Sequence, residues 1–352
     1  MIATAPGKLI LTGEYAVLDG APAIVVAVDR RAVARRNATP RGSSPFLFAV
    51  ADEIAARRGA EAPAARAALE ISVDSSAFYD RTTRRLEAAA VARRTITAQL
   101  ASVDLRTGAA EVDADSSKLG LGSSAAVTVA ATALALDTTN RREILEIALA
   151  AHARAQGARG ARGSGADIAA SVYGGTIVFS RPAGSGPCLI EPWRWPAPVA
   201  ILPFFTGAAA DTAQLVARVT AARAAQRAPV EAALAAVTEA SRAACAALAA
   251  APDIAPVALI GALALAAEAI DRLAAATRID LVPACVKAAR AALARLGGTA
   301  KTTGAGGGDV GVAVLPAGLD ETMVTRLLIE AGCRPLRIAL DETGVDLRPD
   351  AS

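Results

Sequence analysis

The sequence predicts an α+β protein with two domains, and three observations lead to that prediction. The 352 residues exceed one typical domain of roughly 100–200 residues. Short β-branched or apolar runs alternate along the chain with longer alanine-rich runs of helical character. A proline-rich stretch at 187–198 interrupts this alternation. Because such a composition shift is typical of a boundary, we predict an N-terminal domain, 1–195, and a C-terminal domain, 196–352.

The N-terminal domain begins with strands. Residues 8–11 and 22–28 are short apolar runs separated by glycines, and residues 69–74 alternate apolar and polar side chains, as a strand with one buried face does. An alanine-rich helix is predicted over 49–67. The other elements are a hairpin, three helices and a strand, predicted in order at 80–116, 127–136, 141–156, 167–173 and 176–179. The first of these helices is apolar on nearly all sides, so we expect it to be buried.

The C-terminal domain is predicted to be mostly helical. A strand at 199–205 opens it. Four helices follow, at about 211–226, 229–250, 255–277 and 284–296. A strand at 310–315, a helix at 320–332 and a strand at 336–340 complete the domain.

Composition excludes several classes of protein. The 37 basic and 34 acidic residues leave a net charge of +3, which argues against a nucleic-acid or lipid surface. The longest nearly uncharged helical run, 256–267, is short of the roughly 20 residues that span a bilayer, and the N-terminus lacks the pattern of a signal peptide. A single histidine, His152, excludes a multi-histidine zinc site. Four scattered cysteines are expected to be reduced, as in a cytoplasmic protein.

The distribution of lysines points to phosphate chemistry. Only four of the 37 basic residues are lysines: Lys8, Lys118, Lys287 and Lys301. Three of them lie in or beside glycine-rich segments. A compact ammonium group on a flexible stem suits a single phosphate oxygen, where a planar guanidinium would not fit.

Residues 118–126 read Lys-Leu-Gly-Leu-Gly-Ser-Ser-Ala-Ala and form the most informative segment. Gly120 and Gly122 allow positive φ and close approach of an anion. Ser123 and Ser124 stand where a helix begins and exposes unpaired N–H groups. The spacing matches neither a Walker A loop nor Gly-x-Gly-x-x-Gly, because Ala125 replaces the last glycine. A phosphate-binding loop and a well-capped core helix both remain open here.

Two further glycine-rich segments carry candidate residues. The segment 301–309 has four glycines within 304–308. This loop can line a ligand pocket with backbone N–H groups, or it can be a tight turn. Asp309 is expected to cap the turn. Asp167 follows Gly163-Ser-Gly-Ala and can orient or deprotonate an attacking hydroxyl, or cap a helix. Lys8 opens a strand, as a surface lysine or as a cation beside phosphates.

Together, segments 6–17, 120–126 and 304–308 resemble, in order, the three motifs of the GHMP small-molecule kinases. The resemblance is strongest to the phosphomevalonate kinase family of yeast and some bacteria, on the evidence of Lys118 leading its motif and of segments 152–157, 163–175 and 205–212. Asp211 departs from that pattern, which has serine there, and leaves substrate contacts at this position open. The resemblance implies an N-terminal ribosomal-S5-like α/β domain, a C-terminal ferredoxin-like domain and a site between them.

The resemblance also implies an activity, ATP-dependent phosphorylation of (R)-5-phosphomevalonate, with ATP and Mg²⁺ as cofactors. Alternatives are a mevalonate kinase, another GHMP kinase acting on a sugar or amino acid, and a catalytically silent nucleotide-binding protein. The expected partners are ATP and a phosphorylated small molecule, with neither nucleic acid nor membrane, in a monomer or homodimer.

The implied roles fall on named residues. Lys8 and Asp167 match the catalytic pair, and Ser124 and Gln156 the metal ligands; mevalonate kinases have glutamate where Gln156 stands. The nucleotide-binding residues are expected to be Lys118, Gly120, Leu121, Gly122, Ser123, Ser124 and Ala125. The substrate-binding residues are expected to be Lys8, Tyr15, Ser164, Gly165, Asp167, Thr302, Gly304, Ala305 and Gly306. Extra cations for a phosphorylated acceptor are sought first at Lys118 and then at Arg30, Arg159, Arg162 and Lys301.

Overall fold

The computed structural model describes residues 1–36, 44–80, 117–158, 163–182 and 186–350. Within these ranges the chain forms two larger antiparallel sheets and one short pair of strands. The strands are β1 (Ile2–Ile10), β2 (Ala23–Arg36), β3 (Ile71–Asp74), β4 (Tyr79–Asp80), β5 (Ser117–Lys118), β6 (Thr176–Ser180), β7 (Leu189–Trp193), β8 (Val199–Phe205), β9 (Thr299–Thr302), β10 (Val310–Pro316), β11 (Arg334–Pro335) and β12 (Asp346–Arg348). The helices are α1 (Pro45–Arg58), α2 (Pro63–Leu69), α3 (Ser123–Leu136), α4 (Arg141–Gly157), α5 (Ala166–Tyr173), α6 (Thr212–Ala225), α7 (Arg227–Leu248), α8 (Ala255–Thr277), α9 (Ala284–Ala294) and α10 (Glu321–Glu330).

The first sheet has the order β12-β1-β2-β6-β7, with β3 also pairing with β2. Helices α3 and α5 pack on β1 and β2, and α4 and α1 lie outside α3. The predicted burial of the apolar helix is confirmed, since nearly every residue of α3 is buried. The register of β1 against β2 shifts between Pro6 and Gly7, immediately before Lys8. A bulge of this kind bends the strand and redirects the side chains that follow it.

The second sheet has the order β11-β8-β10-β9 and is covered by α8 and α9. The two antiparallel sheets with their helices confirm the predicted α+β class. The boundary at 195/196 stays a prediction. The last strand of the chain, β12, lies in the first sheet, where it pairs with β1.

Several predicted elements differ from the structure. The single helix expected over 49–67 is two helices, because Gly59 leaves the helix at φ 95° and Pro63 starts the next one. The strand expected at 336–340 is wrong: β11 ends at Pro335, and only Leu340 forms an isolated bridge, to Val28.

The proline-rich stretch contains an unpredicted strand, β7, at the end of the first sheet, where Pro192 is tolerated. Of the expected 80–116 hairpin, residues 81–116 lie outside the described residues, while the flanking β4 and β5 pair with each other. No helix in the described part of the chain combines the length and apolar character that a membrane span needs.

Candidate active site

A cleft of about 1030 Å³ brings the three glycine-rich segments together. Most of the predicted site residues line it: Lys8, Tyr15, Lys118, Gly120, Gly122, Ser123, Ser124, Gln156, Ser164, Asp167, Gly304, Ala305 and Gly306. Four others, Leu121, Ala125, Gly165 and Thr302, are buried beside the cleft and do not line it. Segments that are far apart in sequence therefore share one cavity.

The N-terminus of α3 faces this cleft without a side-chain cap. Its N-cap residue is Gly122, at φ 80° and ψ 34°, so no side chain accepts from the first N–H groups of the helix. A Cβ on Gly122 would lie 3.2 Å from the Lys8 side chain, so glycine lets that lysine lie close to the helix start. The Lys8 backbone N–H donates to the Leu121 carbonyl at 2.9 Å and ties the loop to β1. The arrangement suits an anion at the helix N-terminus.

Lys8 is a buried cation between two carboxylates. Burial lowers the pKa of its ammonium group, and the charges of Asp167 and Asp309 oppose that shift. Its Nζ lies 3.5 Å from the Gly120 carbonyl oxygen. Asp167 lies near the start of α5, and its Oδ1 accepts from the backbone N–H of Ile168 at 2.9 Å. Positive and negative groups are thus concentrated in a partly dehydrated site.

Asp309 lines the cleft, whereas the sequence predicts it only as a turn cap. It caps a turn as expected, because its Oδ1 accepts from the Ala210 N–H at 3.1 Å. Its other carboxylate oxygen lies against Gly120, where an added Cβ would be only 2.3 Å away. Burial raises the pKa of Asp309, while the Ala210 N–H, Lys8 and Lys118 lower it. The signal available in the sequence was its place after three consecutive glycines. The structure adds a positive φ of 55° at this residue.

A polar cluster lies between α3 and α4. The Nε2 of His152 lies 3.2 Å from Ser124 Oγ and 3.5 Å from Gln156 Nε2. The imidazole stacks on Phe46, with ring centroids 5.3 Å apart. Burial lowers the pKa of His152, against the raising effect of Asp167. The sequence revealed no role for His152, because its partner Ser124 belongs to another helix.

Glu14 and Lys301 form a buried ion pair next to the cleft. Lys301 also donates to the Thr302 carbonyl oxygen at 2.8 Å and is not among the cleft-lining residues. The prediction of Lys301 as a cation for a phosphorylated acceptor is therefore wrong, because Glu14 already neutralises it. Burial raises the pKa of Glu14, against the lowering effect of Lys301. The neighbouring Tyr15 donates its hydroxyl to the Ala305 carbonyl at 2.5 Å, which links segment 6–17 to segment 304–308.

The remaining predicted cations and Asp211 have other positions. Arg30 is wrong as a cleft cation, since its guanidinium donates to the Arg337 carbonyl oxygen at 2.6 Å and is not part of the cleft lining. Arg159 and Arg162 lie outside the described residues. Asp211 lines the cleft and caps α6, accepting from the Gln214 N–H at 3.1 Å.

The residues predicted as metal ligands offer neutral oxygen atoms. Within the described ranges, no group of three or more His, Cys, Asp or Glu side chains could hold a metal ion. Gln156 lines the cleft, and its buried Oε1 has no hydrogen-bond partner. The buried Ser123 Oγ is also unpartnered. Hydroxyl and amide oxygens fit Mg²⁺, which is commonly held by few protein ligands together with substrate phosphates.

Comparisons with known proteins support the resemblance to the GHMP kinases. Residues 87–175 match the family described as GHMP kinases N terminal domain. A curated phosphomevalonate kinase from Streptomyces sp. (strain CL190) is 29% identical, with 94% of this chain and 95% of that protein covered. The Lin0012 protein of Listeria innocua has a TM-score of 0.74 at 20% identity, with 99% of each chain covered.

A second solved structure is Streptococcus pneumoniae phosphomevalonate kinase in complex with phosphomevalonate and AMPPNP. Its TM-score is 0.69 at 16% identity, and the match covers 97% of this chain and all of that one (100%). These likenesses extend over nearly the whole of each chain. Residues 87–175 thus match the family of GHMP kinase N-terminal domains, and the chain has the fold of these solved structures.

Proposed function

We propose that the protein is an ATP-dependent kinase that converts (R)-5-phosphomevalonate to (R)-5-diphosphomevalonate in the mevalonate route to isoprenoids. The observation that carries the proposal is the convergence of Lys8, Lys118, Ser124 and Asp167 on one cleft with glycine-rich walls. The activity named for the Streptomyces relative, which matches this chain over nearly its whole length, supports the choice of acceptor.

The uncapped start of α3 supports binding of the ATP phosphates. Gly120 and Gly122 leave room for close approach, and the first N–H groups of α3 have no side-chain acceptor. Ser124 and Gln156 would hold Mg²⁺ together with nucleotide oxygens. When bound, the ion would supply positive charge that offsets the charge of the phosphates.

The transfer itself needs little proton chemistry. A phosphate oxygen of the acceptor attacks the γ-phosphorus of ATP and forms a new P–O bond, while the bond to the β–γ bridging oxygen breaks and ADP leaves with that electron pair. A phosphate monoester, with a second pKa of about 6, is largely dianionic at neutral pH. Asp167 therefore has no proton that it must remove, and its charge instead holds and orients Lys8. Lys8 stabilises the charge on the transferring phosphoryl group.

Lys118 supports a phosphorylated acceptor in preference to an alcohol. It lines the cleft with Lys8, so two of the four lysines of the chain lie at this one cavity. Two lysines in one cleft match two bound phosphate-bearing substrates better than one. The third cation of the lining, Arg223, is paired with Asp19 and Glu231. A mevalonate kinase would transfer the same group to a hydroxyl and would need no second cation for its acceptor.

A coupled assay of ADP release tests the proposal. With MgATP, we expect turnover with phosphomevalonate and none with mevalonate; turnover with mevalonate alone would reverse the choice of acceptor. Replacing Lys118 by Met should raise the KM for phosphomevalonate about 10- to 100-fold, the worth of one charged hydrogen bond. Lys287→Met, at an exposed lysine of α9 outside the cleft lining, is the matched control and should leave KM unchanged.

A further inference from the structure

Two of the four cysteines of the chain, Cys285 and Cys333, lie side by side although 48 positions of sequence separate them. The Cys333 Sγ lies 3.5 Å from the Cys285 carbonyl oxygen, and a side-chain hydrogen bond joins the two thiols. A Cβ on Gly332 would lie 3.7 Å from Cys285 Cβ, so the backbone before Cys333 also passes close to that side chain. Both cysteines are free thiols in the structure.

The ends of two helices hold the thiols in place. Cys285 lies in the first turn of α9. Cys333 follows α10, where Gly332 has a φ of 85° and the Cys333 N–H donates to the Leu328 carbonyl at 2.9 Å. Helices commonly end on a glycine in this conformation. The two thiols therefore meet because α9 packs against α10.

The two thiols differ in accessibility. Cys285 is partly exposed, whereas only 4% of Cys333 is exposed. Burial, together with the charge of Cys285 and the hydrogen bond between the side chains, raises the pKa of the Cys333 thiol to about 12. Because the thiolate is the form that attacks a disulfide, a disulfide in solution should react with Cys285 first.

We propose that Cys285 and Cys333 are a reversible thiol–disulfide site that reacts with small-molecule disulfides. The Cys285 sulfur attacks one sulfur of the small molecule, forms a mixed disulfide and releases the other half as a thiol. The Cys333 sulfur then attacks the Cys285 sulfur and releases the second half as a thiol. The protein loses two electrons and two protons, and the small-molecule disulfide gains both. In the mixed disulfide the Cys285 sulfur carries no charge, so its charge no longer opposes ionisation of Cys333.

The site adjoins the turn that holds Asp309 beside the cleft. The Cys285 thiol donates to the Thr206 carbonyl oxygen at 3.5 Å. The Thr206 backbone N–H donates in turn to the Asp309 carbonyl oxygen at 2.9 Å. A disulfide has no S–H hydrogen, so oxidation removes the first of these two hydrogen bonds. The chemistry of the pair depends on the two cysteines alone and not on the proposed function.

Peptide mapping of the wild type tests the site. The reduced protein is incubated with glutathione disulfide, its remaining thiols are blocked with N-ethylmaleimide in urea, and it is digested with trypsin without reduction. We expect peptides 279–287 and 327–337, which hold Cys285 and Cys333, to be joined with a mass two hydrogens below their sum, and dithiothreitol to separate them. Blocked Cys285 and Cys333 after prolonged incubation, or a link from either to Cys188 or Cys245, would overturn the proposal.

Single variants test the order of the two steps. Cys333→Ser should accumulate the mixed disulfide of glutathione with Cys285, because the thiol that displaces glutathione is gone. Cys285→Ser should take up glutathione on Cys333 about 10-fold more slowly or less, since Cys333 is buried. Equal rates in the two variants would overturn the assignment of Cys285 as the first thiol. Cys245→Ser is the matched control and should leave the link between Cys285 and Cys333 unchanged.

Discussion

Substituting Gly120 by Ala would press directly on Asp309. The new Cβ would lie 2.3 Å from Asp309 Oδ2 and 2.6 Å from its Cγ, against roughly 3.5 Å for an ordinary non-bonded contact. The φ of Gly120 is also +67°, where alanine is strained by about 1–2 kcal/mol. Moving Asp309 aside would break its hydrogen bond from the Ala210 N–H, worth about 0.5–1.5 kcal/mol, and overpacking adds about 1–3 kcal/mol. We expect Gly120→Ala to lower the free energy of unfolding by about 3 kcal/mol or more.

Gly297→Ala separates the strain from the overlap. Gly297 has a similar φ of +71°, but its added Cβ would meet nothing closer than 3.8 Å. Urea unfolding should therefore give a loss of only about 1–2 kcal/mol for this control. In an Asp309→Gly background, Gly120→Ala should likewise cost about 1–2 kcal/mol, because the overlapping atoms are gone. If Gly120→Ala costs the same in both backgrounds, Asp309 does not pack against Gly120, and segments 118–126 and 301–309 do not meet there.

Three further predictions concern single side chains. Asp167→Asn should lower kcat with phosphomevalonate about 10²- to 10³-fold in the ADP-release assay, since Lys8 loses the first of its two counter-charges and keeps only Asp309. A wild-type kcat would contradict this role. Glu14→Gln should lower the free energy of urea unfolding by about 3–5 kcal/mol, because it leaves the Lys301 cation buried and unpaired. The double variant Glu14→Gln/Lys301→Met should be less destabilised. A double variant less stable than the single one would disprove the pairing. Burial raises the pKa of the Cys245 thiol to about 11. Its alkylation by iodoacetamide at pH 8, measured by mass spectrometry, should therefore be about 100-fold slower than that of a small thiol. An equal rate would contradict the burial of Cys245.

Local patterns in the sequence predict most elements of the fold. The apolar run after Ser124 gives the buried helix α3, and the glycines before it give a turn of positive φ that no other residue adopts as easily. Such features depend on neighbours within a few residues, so they can be read from one segment at a time. Where two local signals compete, as at Gly59 and Pro63 inside an alanine-rich run, the helix breaks although the periodicity continues.

The sequence by itself identified the segments that we propose bind phosphate: three glycine-rich segments, a few lysines and one aspartate that follows glycines. Only the tertiary structure decided what each charge does. Lys301 meets Glu14 across 287 positions of sequence and is neutralised, whereas Lys8 and Lys118 line the cleft. His152 meets Ser124 only because α4 packs beside the start of α3. The reason is physical: the state of a polar group depends on its burial and on the opposite charge or donor within a few ångströms, and folding brings those partners from distant parts of the chain.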